Sequence, residues 1–344
     1  MAFNKYSKGI ALFLLAVFIL WWFGRSLDWA EVNRSVRQAN VLLLGAATLL
    51  VSLTYLLRAY RWRALLRPLG QAHIRDLFVA TVTGFSAVFL VGRAGEVVRP
   101  GLLTLRDRKI RPAASFITIV VERICDLVAI ILMFAVNLTW FRLPLGHEAD
   151  LMQIRKIGLG LLITTVVGLV ILIVFERKAG WVIGWLERRV SFIPANAKRF
   201  LVRILEQLAA ALKVLAYPRE LIITSFWTGL IWSIVIVANL LILSAFGESF
   251  GVRETIFVLG WALVGSLVPT PGGAAGAFHA ATAAGLVFLG VTREIAAAIA
   301  IALHIVDFAP ALLFGLYYLI MGDVSITRLR KLPSTEHTEV ALEQ

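Results

Sequence analysis

Cysteine is almost missing from this sequence: Cys125 is the single one in 344 residues. It lies in an apolar segment, and alone it excludes an internal disulfide framework. Charge is scarce as well, at 16% of residues. The longest hydrophilic stretch, about Glu176–Glu220, is too short for a separate catalytic domain. There is no HExxH zinc pair, no GxxxxGK[ST] phosphate loop and no DxxD carboxylate cluster, so neither a metal nor another cofactor is expected. No small-residue cleavage site follows Trp21-Trp22-Phe23, so the apolar run behind Lys5 and Lys8 reads as a retained first span. Apolar residues, by contrast, make up 60% of the chain, and the mean hydropathy is +0.85. Those values describe a polytopic membrane protein. The net charge of +13 then belongs to cytoplasmic loops facing anionic lipid, and nucleic acid is not expected as a partner.

The stretch 76–111 organises the rest. Leu77 to Val91 is apolar, then Gly92-Arg93-Ala94-Gly95-Glu96-Val97-Val98-Arg99-Pro100-Gly101 interrupts it, and Leu102–Leu105 resumes briefly. The first arm is shorter than the roughly 20 residues of a spanning helix. Broken, charged backbone is tolerated at depth only where protein or a wet cavity satisfies it. The expected element is a re-entrant hairpin with a polar tip. A second interrupted pair follows later: Thr255–Val268, the break Pro269-Thr270-Pro271-Gly272-Gly273, and Ala274–Leu289. Full spans are expected at about Gly9–Phe23, Val41–Leu57, Pro112–Trp140, Ile157–Phe175, Leu221–Phe246 and Ile295–Met321. Ala195–Leu215 has the pattern of an amphipathic surface helix within the loop Glu176–Glu220.

The order is span, span, hairpin, span, repeated once. Basic residues crowd the tracts after span two, at Arg106–Arg111, in the Glu176–Glu220 loop and in the tail. The positive-inside rule puts both termini in the cytoplasm and gives the two halves, about 9–140 and 155–321, opposite orientations. The expected fold is therefore all-α, a single membrane domain of about six spans and two oppositely oriented hairpins. Such inverted repeats with matching breaks are a transporter signature, and the two tips are expected to meet at a shared site. Eight full spans would preserve the same parity; only the shortness of the hairpins argues against them.

Several charges stand where lipid-facing helices carry none. Span three contains Glu122, Arg123 and Asp126; the last span contains His304 and Asp307; hairpin two contains His279. Each costs roughly 2.5–3.5 kcal/mol at a helix centre, so all should face inward and be paired. Structural ion pairs, Arg123 with Asp126 and Arg93 or Arg99 with Glu96, are one account of them. A functional cavity is the other. His279 alone also fits a packing residue, and Arg58, Arg61, Arg63, Arg67 and Arg75 are most simply topology determinants, with lipid phosphate as a second role. Gly272 and Gly273, before a half-helix, offer backbone N–H groups to an anion.

With Arg61-Trp62-Arg63, Gly92-Arg93-Ala94-Gly95-Glu96 with Arg99-Pro100, Val121-Glu122-Arg123 with Asp126, and Pro269-Thr270-Pro271-Gly272-Gly273 in view, the chain resembles a flippase-like membrane family. That family includes the transmembrane region of lysyl-phosphatidylglycerol synthases. The resemblance implies movement of phospholipids or lipid-linked head groups between the leaflets of the plasma membrane. Many relatives carry a glutamate shortly after the Pro-Gly-Gly turn, where His279 stands here, and an arginine is expected near His304 and Asp307. The soluble aminoacyl-transferring domain of the synthases has no counterpart in these residues, so synthase activity is not expected.

The expected function is a lipid flippase without enzymatic activity. Arg93, Arg99 and Arg123 would hold a phosphate, and Glu96, Glu122, Asp126 and Asp307 would neutralise them in the empty site. His279 and His304 are candidates for titration near neutral pH. Two other classes stay open: a membrane-embedded enzyme acting on lipid phosphates, with His279, His304, Glu122 and Asp126 as its groups, and a non-transporting accessory subunit. The expected partners are membrane phospholipids or a lipid-linked substrate, with a second copy or a separate lipid-modifying enzyme left open.

Overall fold

Long apolar runs interrupted by glycine and proline leave the chain one economical way to satisfy its backbone, which is helix after helix. The computed structural model describes residues 3–67, 70–106, 110, 112–140, 148–189, 195–215, 217–268 and 270–321. Among them no strand occurs. In chain order the helices are α1 (Phe3–Gly24), α2 (Trp29–Gln38), α3 (Val41–Leu66) and α4 (Ile74–Val91). A 3₁₀ turn, Gly92–Val97, leads to α5 (Val98–Arg106), α6 (Pro112–Trp140), α7 (Glu148–Arg189), α8 (Ala195–Leu215) and α9 (Pro218–Ala245). Then come α10 (Val252–Gly265), the short turn α11 (Pro271–Ala274), α12 (Ala277–Phe288) and α13 (Arg293–Ile320).

Local chemistry sets the boundaries. Asp28 caps α2 by accepting from the Ala30 and Glu31 N–H groups, and Asn40 caps α3 through Leu42 and Leu43. Pro218 opens α9, where its missing N–H costs nothing. Serines and threonines inside α3 turn back on the preceding turn, Thr48 to Leu44 O and Ser52 to Thr48 O.

Both interruptions fall where glycine and proline predict them. Two stretches differ. The stretch between the first two expected spans, Gly24–Asn40, contains α2, bent 88° from α1. The span expected at Ile157–Phe175 continues to Arg189, because Trp181, Ile183, Trp185 and Leu186 keep the segment apolar and no proline stops it. The first part of the expected loop Glu176–Glu220 is thus helix, while α8 has the expected bounds. Among the described residues, four helices are long and apolar enough to cross a membrane: Val41–Leu66, Arg155–Leu186, Pro218–Ala245 and Arg293–Ile320. A fifth is added if α1 and α2 form one broken span. α6 has the length, 29 residues, but carries Glu122, Arg123 and Asp126. Part of the basic tract Arg106–Arg111, the residues after 321 and Pro269 lie outside the described residues.

The bundle centres on α3, α4, α9 and α13. α3 packs along α9, α13 along α4, and α6 reaches α3, α5, α9 and α10. α7 lies mainly against α6 and α8. The two breaks touch: α11 packs against α4 and against the 3₁₀ turn. This contact demands unusual backbone. Gly272, Gly273 and Ala274 all have positive φ, at 73°, 64° and 65°. A Cβ on Gly273 would also lie 2.9 Å from the Phe308 ring and 3.0 Å from His304 Nε2.

Gly273→Ala should therefore lose stability twice, once for the left-handed backbone and once for the collision. Gly290→Ala, at φ 95° with open space around it, should lose only the first, roughly 1 kcal/mol. Thermal unfolding of the purified protein in detergent measures both; equal losses would mean that the tip is loosely packed.

Candidate functional site: a buried arginine–carboxylate cluster

Glu122 and Asp126 stand one turn apart on α6, both buried. Arg61, wholly buried near the end of α3, forks onto Asp126, with Nη1 to Oδ1 at 2.6 Å and Nη2 to Oδ2 at 3.0 Å. Its Nη2 also lies 3.3 Å from Glu122 Oε1. Arg99, from α5, forks onto Glu122 at 2.6 and 3.1 Å and donates to Thr81 Oγ1 at 3.3 Å. Its guanidinium stacks over Trp62 at 4.4 Å. From α9, Thr228 accepts from Arg61 and Trp232 Nε1 donates to Asp126 Oδ1. Space for the Arg99 stem comes from Gly84 on α4, where a Cβ would overlap the arginine's Cγ.

Two more guanidiniums reach the same carboxylates and, among the described residues, keep donors to spare. Arg123 Nη2 is 2.7 Å from Glu122 Oε1 and 3.7 Å from Asp126 Oδ2, with its side chain 36% exposed. Arg58 Nη1 lies 3.5 Å from Asp126 Oδ2, with its side chain 11% exposed. The guanidiniums of Arg58, Arg99 and Arg123 sit 5.3, 5.8 and 5.9 Å from the Phe85 ring. At contact distance, then, four guanidiniums share two carboxylates. Glu96 and Asp307 act on Arg123 and Arg58 from farther out. Asp307 is tied to α3 by its backbone oxygen, which accepts from Tyr55 Oη at 2.7 Å.

One turn further along α4, Phe89 packs on His304 and Phe308. His279 and His304 meet edge to face with ring centroids 4.6 Å apart, inside a box completed by Phe278. His279 Nδ1 accepts from the Gly276 N–H, so a neutral ring carries its proton on Nε2. The histidines adjoin the Gly272–Gly273 turn, and among the described residues their partners are aromatic rings and backbone, not Glu122 or Asp126.

The chain belongs to the lysylphosphatidylglycerol synthase transmembrane-region family, whose model matches residues 9–315. Curated proteins yield no match.

Within this family member the arginine pairing differs from the sequence expectation. Arg99 pairs with Glu122 and not with Glu96, because α5 turns back onto α6. Arg123 lies nearer Glu122 than Asp126, since Asp126 is taken by Arg61. Of Arg93, only the backbone, in the 3₁₀ turn, belongs to the described residues. Arg58 and Arg61 are inside the cluster, not in a loop: α3 runs on to Leu66 and carries them inward. Their spacing of three residues, which puts them on one helix face, was the available signal. Thr81, Phe85, Thr228 and Trp232 gave none, being ordinary residues of apolar helices.

Breaking a buried pair on one side leaves the other charge stranded, at a cost of about 3–5 kcal/mol. Asp126→Leu should lose stability on that scale, and Arg61→Leu combined with Asp126→Leu should recover much of it. Thermal melts of both variants in detergent give the comparison; a double variant no better than the single would mean that Arg61 has no structural debt to Asp126.

Proposed function

We propose that this protein is a carrier that moves a phospholipid, or a lipid-linked substrate with a phosphate-bearing head group, between membrane leaflets. One observation carries it: inside a bundle of apolar helices, Arg58 and Arg123 keep unused donors beside Arg61 and Arg99, which are committed to Asp126 and Glu122. Charge of that kind at depth serves a ligand or a pathway more readily than stability. Arginine's planar fork matches phosphate oxygens, and the membership of a lipid-synthase transmembrane family supports a lipid as the bearer. Glu96 and Asp307 balance the excess in the empty site and face any cationic part of a bound head group.

The packing also supports two inverted halves. Exchange α1–α6 with α7–α10, α12 and α13 in order, and α3–α9 maps onto itself, α13–α4 onto α6–α10, α13–α3 onto α6–α9, and α2–α13 onto α8–α6. That symmetry is what two oppositely inserted copies of one plan would leave, and the crowding of basic residues favours both termini in the cytoplasm of a plasma-membrane protein. Cysteines placed by Ser249→Cys and Arg219→Cys should then react with an impermeant reagent from opposite sides of the membrane. Labelling from one side would remove the inverted halves and the orientation together.

Reconstitution into liposomes with a panel of labelled lipids tests the transport. Phosphate-bearing lipids should exchange leaflets, and diacylglycerol should not depend on the protein. Arg58→Ala combined with Arg123→Ala should fold yet slow exchange by about tenfold or more, and Arg123→Lys should lose part of the rate by losing the fork. Undiminished exchange by the folded double variant would place the site elsewhere. Chemical turnover of a lipid by the purified protein would replace a carrier with an enzyme.

A further inference from the structure

A second place on the molecule has the chemistry of an anion site. Where α6 ends and α7 and α10 begin, an open cleft of 360 Å³ is lined, among the described residues, by Thr139, Trp140, Arg155 and Arg253. The three helix ends are held together. Asn137 Nδ2 donates to the Arg253 backbone oxygen at 3.0 Å, and Gly158 lets α7 pack directly on the backbone around Ala135 and Thr139. The nearby carboxylate of Glu254 is occupied in accepting from the Gly251 N–H. No hydrogen bond or ion pair engages the side chain of Arg155 or Arg253 among the described residues. Among the described residues, two arginines thus share a cleft that no carboxylate lines.

The surroundings name the occupant. Trp140 is 70% exposed, as a residue of an interfacial aromatic belt would be. One and two turns along α7 from Arg155, Leu159 and Ile163 are exposed. A head group in the cleft would therefore have its acyl chains on an apolar helix surface. Asp126, near the middle of α6, and Thr139, at its end, lie on one helix about 20 Å apart at the usual rise, so this cleft is separate from the central cluster.

We infer that Arg155 and Arg253, with Trp140, form a docking site for the phosphodiester of a membrane phospholipid at the end of the bundle opposite the cytoplasmic face. The head group lies between the two guanidiniums and against the indole. On a carrier, this is where lipid waits after leaving, or before entering, the central cluster. The site itself requires only a membrane-embedded chain, so it stands or falls apart from transport.

Labelling kinetics decide it. In the full chain carrying Cys125→Ser, the thiol introduced by Thr139→Cys is titrated with a maleimide in detergent. Added phosphatidylglycerol should slow the reaction about tenfold, and inorganic phosphate or diacylglycerol at the same concentration should not. Adding Arg155→Ala and Arg253→Ala should abolish the protection, whereas Arg58→Ala with Arg123→Ala should leave it in place. No protection by phosphatidylglycerol overturns the site. Equal protection by diacylglycerol reduces it to an apolar contact, and protection by inorganic phosphate alone replaces the lipid with a free anion. Arg155→Gln with Arg253→Gln serves if the alanine variant fails to elute as a single species. Protection without leaflet exchange would retract transport and keep the docking site; exchange without protection would do the reverse.

Discussion

Everything near the centre of this molecule answers to two carboxylates that apolar surroundings cannot leave bare. Glu122 and Asp126 face inward from α6, and each needs a cation with fitting geometry at a few ångströms. Arg61 and Arg99 meet that need from α3 and α5, and Thr228 and Trp232 add contacts from α9. Four helices, α3, α5, α6 and α9, are thereby held at one point. Aliphatic side chains of similar volume could fill the same space with less desolvation. The polar solution instead leaves a place where charge is already present, oriented and partly reachable from outside the bundle.

Reachability depends on the breaks. An unbroken α4 would carry its apolar face past the cluster and close it. The 3₁₀ turn at Gly92–Val97 ends that helix and returns the chain as α5, which delivers Arg99. The left-handed turn at Gly272–Ala274 does the corresponding service in the second half and brings the histidine pair against α4. Phe85 and Phe89, one turn apart on α4, meet the guanidiniums and His304 respectively, so the arginine cluster and the histidine pair adjoin one helix.

The periphery obeys a different constraint. Only 6% of the most apolar part of α7 is buried, against 50% for α13, so α7 offers its sides to lipid while α13 is enclosed by protein. A helix so placed does little for the core. It supplies the apolar flank next to Arg155 and extends the bundle beyond the expected span, as 32 residues of apolar helix allow with tilt.

Apolar runs and their glycine–proline punctuation are local properties, and so the helices, both interruptions, the amphipathic α8 and the inward charges of α6 were legible from residue order alone. Helix ends without such punctuation were not: α7 ran on past Phe175 because nothing stops it, and α2 formed behind Asp28 because one capping side chain suffices. Which arginine answers which carboxylate was beyond residue order altogether. Arg99 stands three residues from Glu96 and twenty-three from Glu122, yet the fold of α5 onto α6 gives it to Glu122. Arg61 looked like a loop charge because flanking basic residues report topology; only the crossing of α3 over α6 and α9 makes it the partner of Asp126. Sequence spacing decides who shares a helix face, and packing of separate helices decides whose charges meet, because a buried ion pair forms at a few ångströms and the chain between its members has no say in that distance.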